Sequence, residues 1–217
     1  MGDLVATDLE GTLTTGATWR GTGHWLESTG RKWAYRRFLL PRLPSVLLAR
    51  RGVIDRQAFR ERWVHDLTRF LAGLDGPALD EYARWIVDNE LWPQRREAVL
   101  AELADRARAG CRIVIASGTY QPVADAFAQR VGALALGTPL EMRDGRATGR
   151  LGGQVGTRDS KAHAVRLAAG ADRIVGAYGD TEADIPMLEL ADGPVAVHPD
   201  RELRRVALER GWRIIDG

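Results

Sequence analysis

The chain has one cysteine, two lysines and no long apolar run. Cys111 stands alone, so an intramolecular disulfide is excluded and nothing suggests secretion. No apolar stretch is long enough to span a bilayer, and the N-terminus lacks the basic and apolar regions of a signal peptide. A cytoplasmic location is the default expectation. His24, His65, His163 and His198 show no metal-ligand spacing. No Walker loop and no dinucleotide fingerprint occurs. A net charge of +2 is too small to call for nucleic acid. Only Lys32 and Lys161 among the 31 basic residues are lysines. Lysine is a compact point charge and arginine a broad planar fork, so a retained lysine points to work that arginine cannot do.

What remains is the composition of a soluble globular protein, 45% hydrophobic and 28% charged. A length of 217 residues suits one domain, or a core carrying an insert. Short apolar segments at Leu4–Ala6, Arg112–Ala116, Arg173–Tyr178, Pro194–His198 and Trp212–Ile215 read as strands. Helical patterns fall between them, at Pro93–Ala109, Gln121–Val131, Ser160–Ala169, Thr181–Leu190 and Asp200–Arg210. Strands alternating with helices predict an α/β fold with a parallel sheet covered on both faces. Pro93 suits a first helical turn, and Gly110 and Gly170 suit C-terminal stops. Asp144-Gly145 between short extended runs reads as a hairpin turn.

Residues 16–92 read differently. They show helical stretches near Trp25–Leu40, Asp55–Leu71 and Ala78–Asn89, punctuated by Pro41, Pro44, Gly73, Gly76 and Pro77. Five of the seven tryptophans lie within this stretch, at 19, 25, 33, 63 and 85, and Trp92 sits at its exit. They are expected mostly to pack a small helical core. The segment Arg31–Arg51 holds seven basic residues and no acidic one. A helix pair with an arginine-rich outer face is the favoured reading of it, and contact with an anionic membrane is the alternative.

Four short motifs carry chemistry. Asp8-Leu9-Glu10-Gly11-Thr12 follows the first strand and sets two carboxylates two residues apart in a glycine-containing loop. One can attack a phosphoryl group while the other handles the proton. Ser117-Gly118-Thr119 follows an apolar strand, where a hydroxyl and exposed N–H groups can hold an oxyanion. Lys161 opens a helix and can balance phosphoryl charge. Asp180 and Asp184 lie four apart across a strand-to-helix turn, hard oxygen ligands of the kind Mg²⁺ takes. In an open α/β sheet such strand ends converge on one crevice.

The order of these motifs resembles motifs one to four of the haloacid dehalogenase superfamily, with Glu10 where most of its phosphatases have a second aspartate. The insert after motif one resembles the helical type 1 cap of subfamily IB, the phosphoserine phosphatase-like group. That resemblance implies a Rossmann-like core, residues 1–15 and 93–217, with a cap at 16–92. It implies a Mg²⁺-dependent phosphatase acting on a small-molecule phosphomonoester. Asp8 would be the nucleophile and Glu10 the proton donor and base. Mg²⁺ would be held by Asp8, the Glu10 carbonyl, Asp180 and Asp184. Ser117, the Gly118 N–H and Lys161 would bind phosphoryl oxygens, and Thr12 would orient the first loop. A phosphotransferase with an alcohol acceptor is one alternative; a phosphate-ligand binding module with an inactive Glu10 is the other. Two departures weaken phosphoserine as the substrate. Ala17 stands where that group has a glutamate for the substrate amine, and Ala183 where it has an asparagine. Arg62 aligns loosely with that group's carboxylate-binding arginine. The resemblance does not reach the oligomeric state.

Overall fold

The computed structural model describes residues 2–42, 63–153 and 158–216. Six parallel strands form the central sheet: β1 (Asp3–Thr7), β2 (Arg112–Tyr120), β3 (Leu134–Thr138), β6 (Arg173–Gly179), β7 (Pro194–Val197) and β8 (Arg213–Ile215). Their order is β3-β2-β1-β6-β7-β8. β4 (Leu140–Arg143) and β5 (Arg146–Leu151) make a separate antiparallel hairpin. Its turn runs through Asp144 and Gly145, both at positive φ, as an Asp-Gly hairpin turn requires.

The centre of β1, Leu4 to Ala6, is apolar without alternation because both its faces are covered. Side chains alternate across the sheet, so Val5, Ile113, Ile115 and Val195 join one buried cluster, while Leu4, Ala6, Val114 and Ala196 join another. The second cluster is closed by Val165 and Ala169, by Met187 and Leu188, and by Leu203 and Ala207, from three covering helices. The first cluster continues into the insert, where it gathers Trp25, Leu26, Phe38, Trp63, Tyr82 and Ile86.

The helices start and stop where local chemistry dictates. Asp200 accepts from the Leu203 N–H at 2.8 Å and opens Arg201–Arg210. Gly110, Gly170 and Gly211 follow helix ends at positive φ, as Gly110 and Gly170 are predicted to do. Pro93 lies in a 3₁₀ turn, Trp92–Gln94, and the following α-helix begins only at Glu97. The predicted Thr181–Leu190 helix is a 3₁₀ turn, Glu182–Asp184, running into a short helix, Ile185–Leu188.

In the insert, the Trp25–Leu40 stretch is two helices, Thr18–Ser28 and Lys32–Leu39, separated at Gly30 with φ +75. The Ala78–Asn89 pattern starts at Gly76, because Asp75 caps the Ala78 N–H at 3.1 Å. It passes at Val87–Leu91 into a π-helical turn. Of the Asp55–Leu71 stretch, residues 55–62 lie outside the described residues, as does Arg62; 63–67 are helical. Trp25 and Trp63 are buried, and Trp19, Trp85 and Trp92 pack partly against the core. Trp33 departs from that expectation and stands 79% exposed.

Where the chain leaves and re-enters the sheet region, its two passes pair. Thr14 bridges Arg95, Thr15 N–H donates to the Gln94 carbonyl at 3.0 Å, and Arg96 N–H donates to the Leu13 carbonyl at 2.7 Å.

Candidate active site

The strand order reverses direction at β1, with β2 and β3 on one side and β6 to β8 on the other. The crevice at such a switch, beyond the carboxyl ends of the strands, is where open α/β sheets hold ligands. Asp8 follows β1 and Asp180 follows the adjacent β6, with Thr7 in register with Tyr178. The Asp8 N–H donates to the Tyr178 carbonyl at 2.9 Å, which extends the pairing into the loop.

Lys161 reaches this crevice from the helix Arg158–Ala169. Its Nζ donates to Asp8 Oδ1 at 2.7 Å and to Asp184 Oδ1 at 2.6 Å. All three groups are buried. Burial pushes Asp8 up to about 6, raised further by Asp184 and opposed by Lys161. Burial alone would lower Lys161, but Asp184 and Asp8 outweigh it and hold the ammonium above the ordinary lysine value. Lys161 therefore stays charged, as neutralising an anion at Asp8 requires.

Asp184 Oδ2 accepts from the N–H groups of Asp180 and Thr181, both at 3.1 Å, and from the Thr181 hydroxyl at 3.2 Å. It fixes the turn that presents Asp180. Gly179 is needed there, since a Cβ would lie 2.4 Å from that of Asp184. Thr12 Oγ1 lies 3.2 Å from Asp180 Oδ1 and 3.4 Å from Asp8 Oδ2, tying the first loop to the last. Gly11 closes the cradle: at φ +104 its missing Cβ would lie 2.0 Å from Asp180 Oδ2.

Asp8, Asp180 and Asp184 each offer a carboxylate oxygen within 4.8 Å of the others. Hard oxygen donors gathered beside a glycine cradle fit a divalent cation of the Mg²⁺ type.

Ser117 and Gly118 lie in β2, beside β1, where Thr7 pairs with Ile115. Ser117 Oγ accepts from the Thr119 N–H at 3.3 Å, and Ser117 is 6% exposed. β2 runs to Tyr120, beyond the apolar stretch that predicts it, and the whole Ser-Gly-Thr motif lies inside it.

Glu10 faces the insert. Its Oε1 accepts from the Thr18 N–H at 3.0 Å, at the first turn of Thr18–Ser28. Ala17, at the N-cap, has no side-chain acceptor, and Glu90 Oε1 takes its N–H at 3.3 Å. Two remote carboxylates thus serve the helix end. The Thr18 and Thr119 hydroxyls lie 2.6 Å apart, so a chain of contacts runs from Glu10 through Thr18 and Thr119 to Ser117.

Thr18, Glu90 and Arg96 carry no signal in the sequence, and Thr119 is marked there only as the last residue of the Ser-Gly-Thr motif. Arg96 Nε donates to the Gly11 carbonyl at 3.2 Å and its charge interacts with Asp180. In sequence it is one arginine of the Arg95-Arg96 pair before a helix. Only the pairing of the two chain passes brings it to the motif-one loop.

The comparisons with known proteins agree with this geometry. A model of the haloacid dehalogenase-like hydrolase family matches residues 5–189, and the chain belongs to that family. It is 38% identical over 136 residues to phosphoserine phosphatase SerB1 of Mycobacterium tuberculosis. That match takes in 60% of this chain and 43% of the relative, so less than half of the relative's length is spanned. A solved protein of unknown function from Bordetella pertussis Tohama I superposes with a TM-score of 0.81 at 24% identity, covering 100% of this chain and 99% of that one. A substrate-bound phosphoserine phosphatase superposes with a TM-score of 0.66 at 17% identity, covering 100% and 94%. These likenesses confirm the Rossmann-like α/β fold. Among the described residues no helix is long and apolar enough to cross a membrane.

Proposed function

We propose that the chain is a Mg²⁺-dependent phosphatase of small phosphomonoesters, working through an aspartyl-phosphate on Asp8, with residues 16–92 as its cap. The observation that carries this reading is the buried Asp8–Lys161–Asp184 triad beside Asp180, at the point where the strand order reverses.

Asp8, Asp180, Asp184 and the Glu10 carbonyl would hold the cation, which supplies charge neutralisation for the transferring group. The chain's own residues do the rest. An Asp8 oxygen attacks phosphorus, and the bond from phosphorus to the substrate oxygen breaks. Glu10 gives that oxygen its proton. Glu10 then takes a proton from water as water attacks the phosphoryl group and frees Asp8. Lys161 offsets phosphoryl charge, and Ser117 with the Gly118 N–H binds phosphoryl oxygens. Thr12 keeps the first loop in register with Asp180.

The reading extends to a phosphomonoester and stops short of phosphoserine. SerB1 bears that name, but Ala17 supplies no partner for a substrate amine, and Ala183 leaves the fourth motif without that group's asparagine. The test is a panel of metabolite, nucleotide and lipid phosphates, run with Mg²⁺ and with chelator. Mg²⁺-dependent phosphate release from at least one member is expected. Phosphate passed to an added alcohol in preference to water would make the protein a phosphotransferase. Metal-dependent binding without product would make it a binding module.

A further inference from the structure

The helix Lys32–Leu39 rests on the insert through Phe38, which is buried against Trp63 and Phe70, with Tyr35 and Leu39 half-buried beside it. Its other face is open. Trp33 is 79% exposed and Leu40, just past its end, 65% exposed. Arg36 and Arg37 are exposed between them. Positions 33, 36, 37 and 40 follow i, i+3, i+4, i+7 spacing, so the four side chains share one stripe. Arg31 and Lys32 extend the positive charge at the helix start, and the nearest thirteen residues on the C-terminal side of Arg37 contain no acid. Among the described residues no ion pair offsets Lys32, Arg36 or Arg37. Among the described residues every other sizeable aromatic of the insert is at least half-buried, so among them this stripe is where the insert leaves apolar surface uncovered.

We propose that this stripe docks on an anionic lipid surface, with Trp33 and Leu40 entering the headgroup boundary and the flanking cations meeting lipid phosphates. The charge pattern selects this occupant. A second copy of the chain would bring the same cations face to face, with no acid on the stripe to pair them. A nucleic-acid strand would need an open ring for base stacking. One face of Trp33 is already covered by the Arg36 guanidinium, 5.8 Å from the ring centroid, while Leu40 adds apolar surface that a sugar-phosphate backbone does not use. Two apolar anchors and a few cations give reversible attachment, not permanent anchoring.

The test is flotation of the full chain with phosphatidylcholine vesicles, with and without phosphatidylglycerol. Binding to the anionic vesicles alone is expected, weakening by roughly fivefold for each cation removed and lost at high salt. Trp33→Ala and the pair Arg36→Gln, Arg37→Gln should each reduce it. All three positions are exposed, so their circular dichroism and Mg²⁺-dependent turnover should match wild type. No flotation with anionic vesicles overturns the proposal. So does binding that the variants leave unchanged. Self-association through Trp33 in size-exclusion chromatography, or retention on single-stranded oligonucleotide in place of vesicles, overturns it as well.

Discussion

Asp8 meets two opposed demands. As the proposed nucleophile it must be ionised, yet burial pushes Asp8 up to about 6 against the pull of Lys161. Below that value the metal-free carboxyl holds a proton that an incoming cation must displace. Mg²⁺ affinity, measured by calorimetry, is therefore expected to be level above pH 7. It should fall by up to about tenfold per unit below pH 6. Affinity unchanged from pH 7.5 to pH 5 would show that Asp8 is not a ligand. Gly11 supports the same site without touching a ligand's chemistry. In Gly11→Ala the new Cβ would meet Asp180 Oδ2 at 2.0 Å in a backbone conformation that alanine resists. Asp180 must move, and the Mg²⁺ needed for half-activation is expected to rise about 10–100-fold. An unchanged requirement would place the cation elsewhere. The carboxylates were legible in the sequence because they follow strand ends, and Lys161 because it opens a helix and lysine is rare here. Thr18 and Arg96 were not. Arg96 reaches the Gly11 carbonyl through backbone pairing between residues some eighty positions apart, and the Thr18 N–H meets the Glu10 side chain across an eight-residue loop; no helix or strand pattern records either.

Elements are joined by a few polar contacts across the sheet's edge. Glu102, on the helix Glu97–Arg108, accepts from the Tyr178 hydroxyl at 2.6 Å and pairs with both Nη atoms of Arg213 at 2.6 and 2.9 Å. The bond from Arg213 holds its carboxyl below the usual glutamate value, against the opposing effect of burial and with help from Tyr178. A carboxyl depressed in the folded state stabilises above its unfolded value of 4.5 and loses that contribution as pH falls through the folded one. Arg213 is half exposed, so the pair contributes about 1 kcal/mol, or roughly 2–4 °C in a chain of this size. Glu102→Gln should lower the melting temperature by that amount at pH 7, and the gap should close below pH 4. A gap that persists to pH 3 would refute a charge-based contribution. The element β3 was missed from sequence for a physical reason. Leu134-Ala135-Leu136-Gly137-Thr138 has no β-branched residue before its last and contains a glycine. It is a strand because Gln121 secures it, accepting from the Gly137 N–H at 2.6 Å, and because a Cβ at Gly137 would lie 2.7 Å from the Gln121 Cα. The helix pair Thr18–Ser28 and Lys32–Leu39 read as one because Gly30 alone marks the break.

At the scale of the molecule, the order β3-β2-β1-β6-β7-β8 decides where chemistry can occur. It brings the end of β1 beside the end of β6 and lets one lysine serve carboxylates 153 and 23 residues away. The insert contributes through the same opening, since the first turn of Thr18–Ser28 is secured by Glu10. The central claim is that Asp8 is the covalent nucleophile, and Asp8→Asn tests it most directly. Hydrolysis of an aryl phosphate is measured at saturating Mg²⁺, alongside a circular dichroism check of the fold. The account predicts that the variant folds as wild type and loses turnover by on the order of 10³-fold or more, about 4 kcal/mol of barrier. Undiminished turnover in a folded Asp8→Asn protein would contradict it.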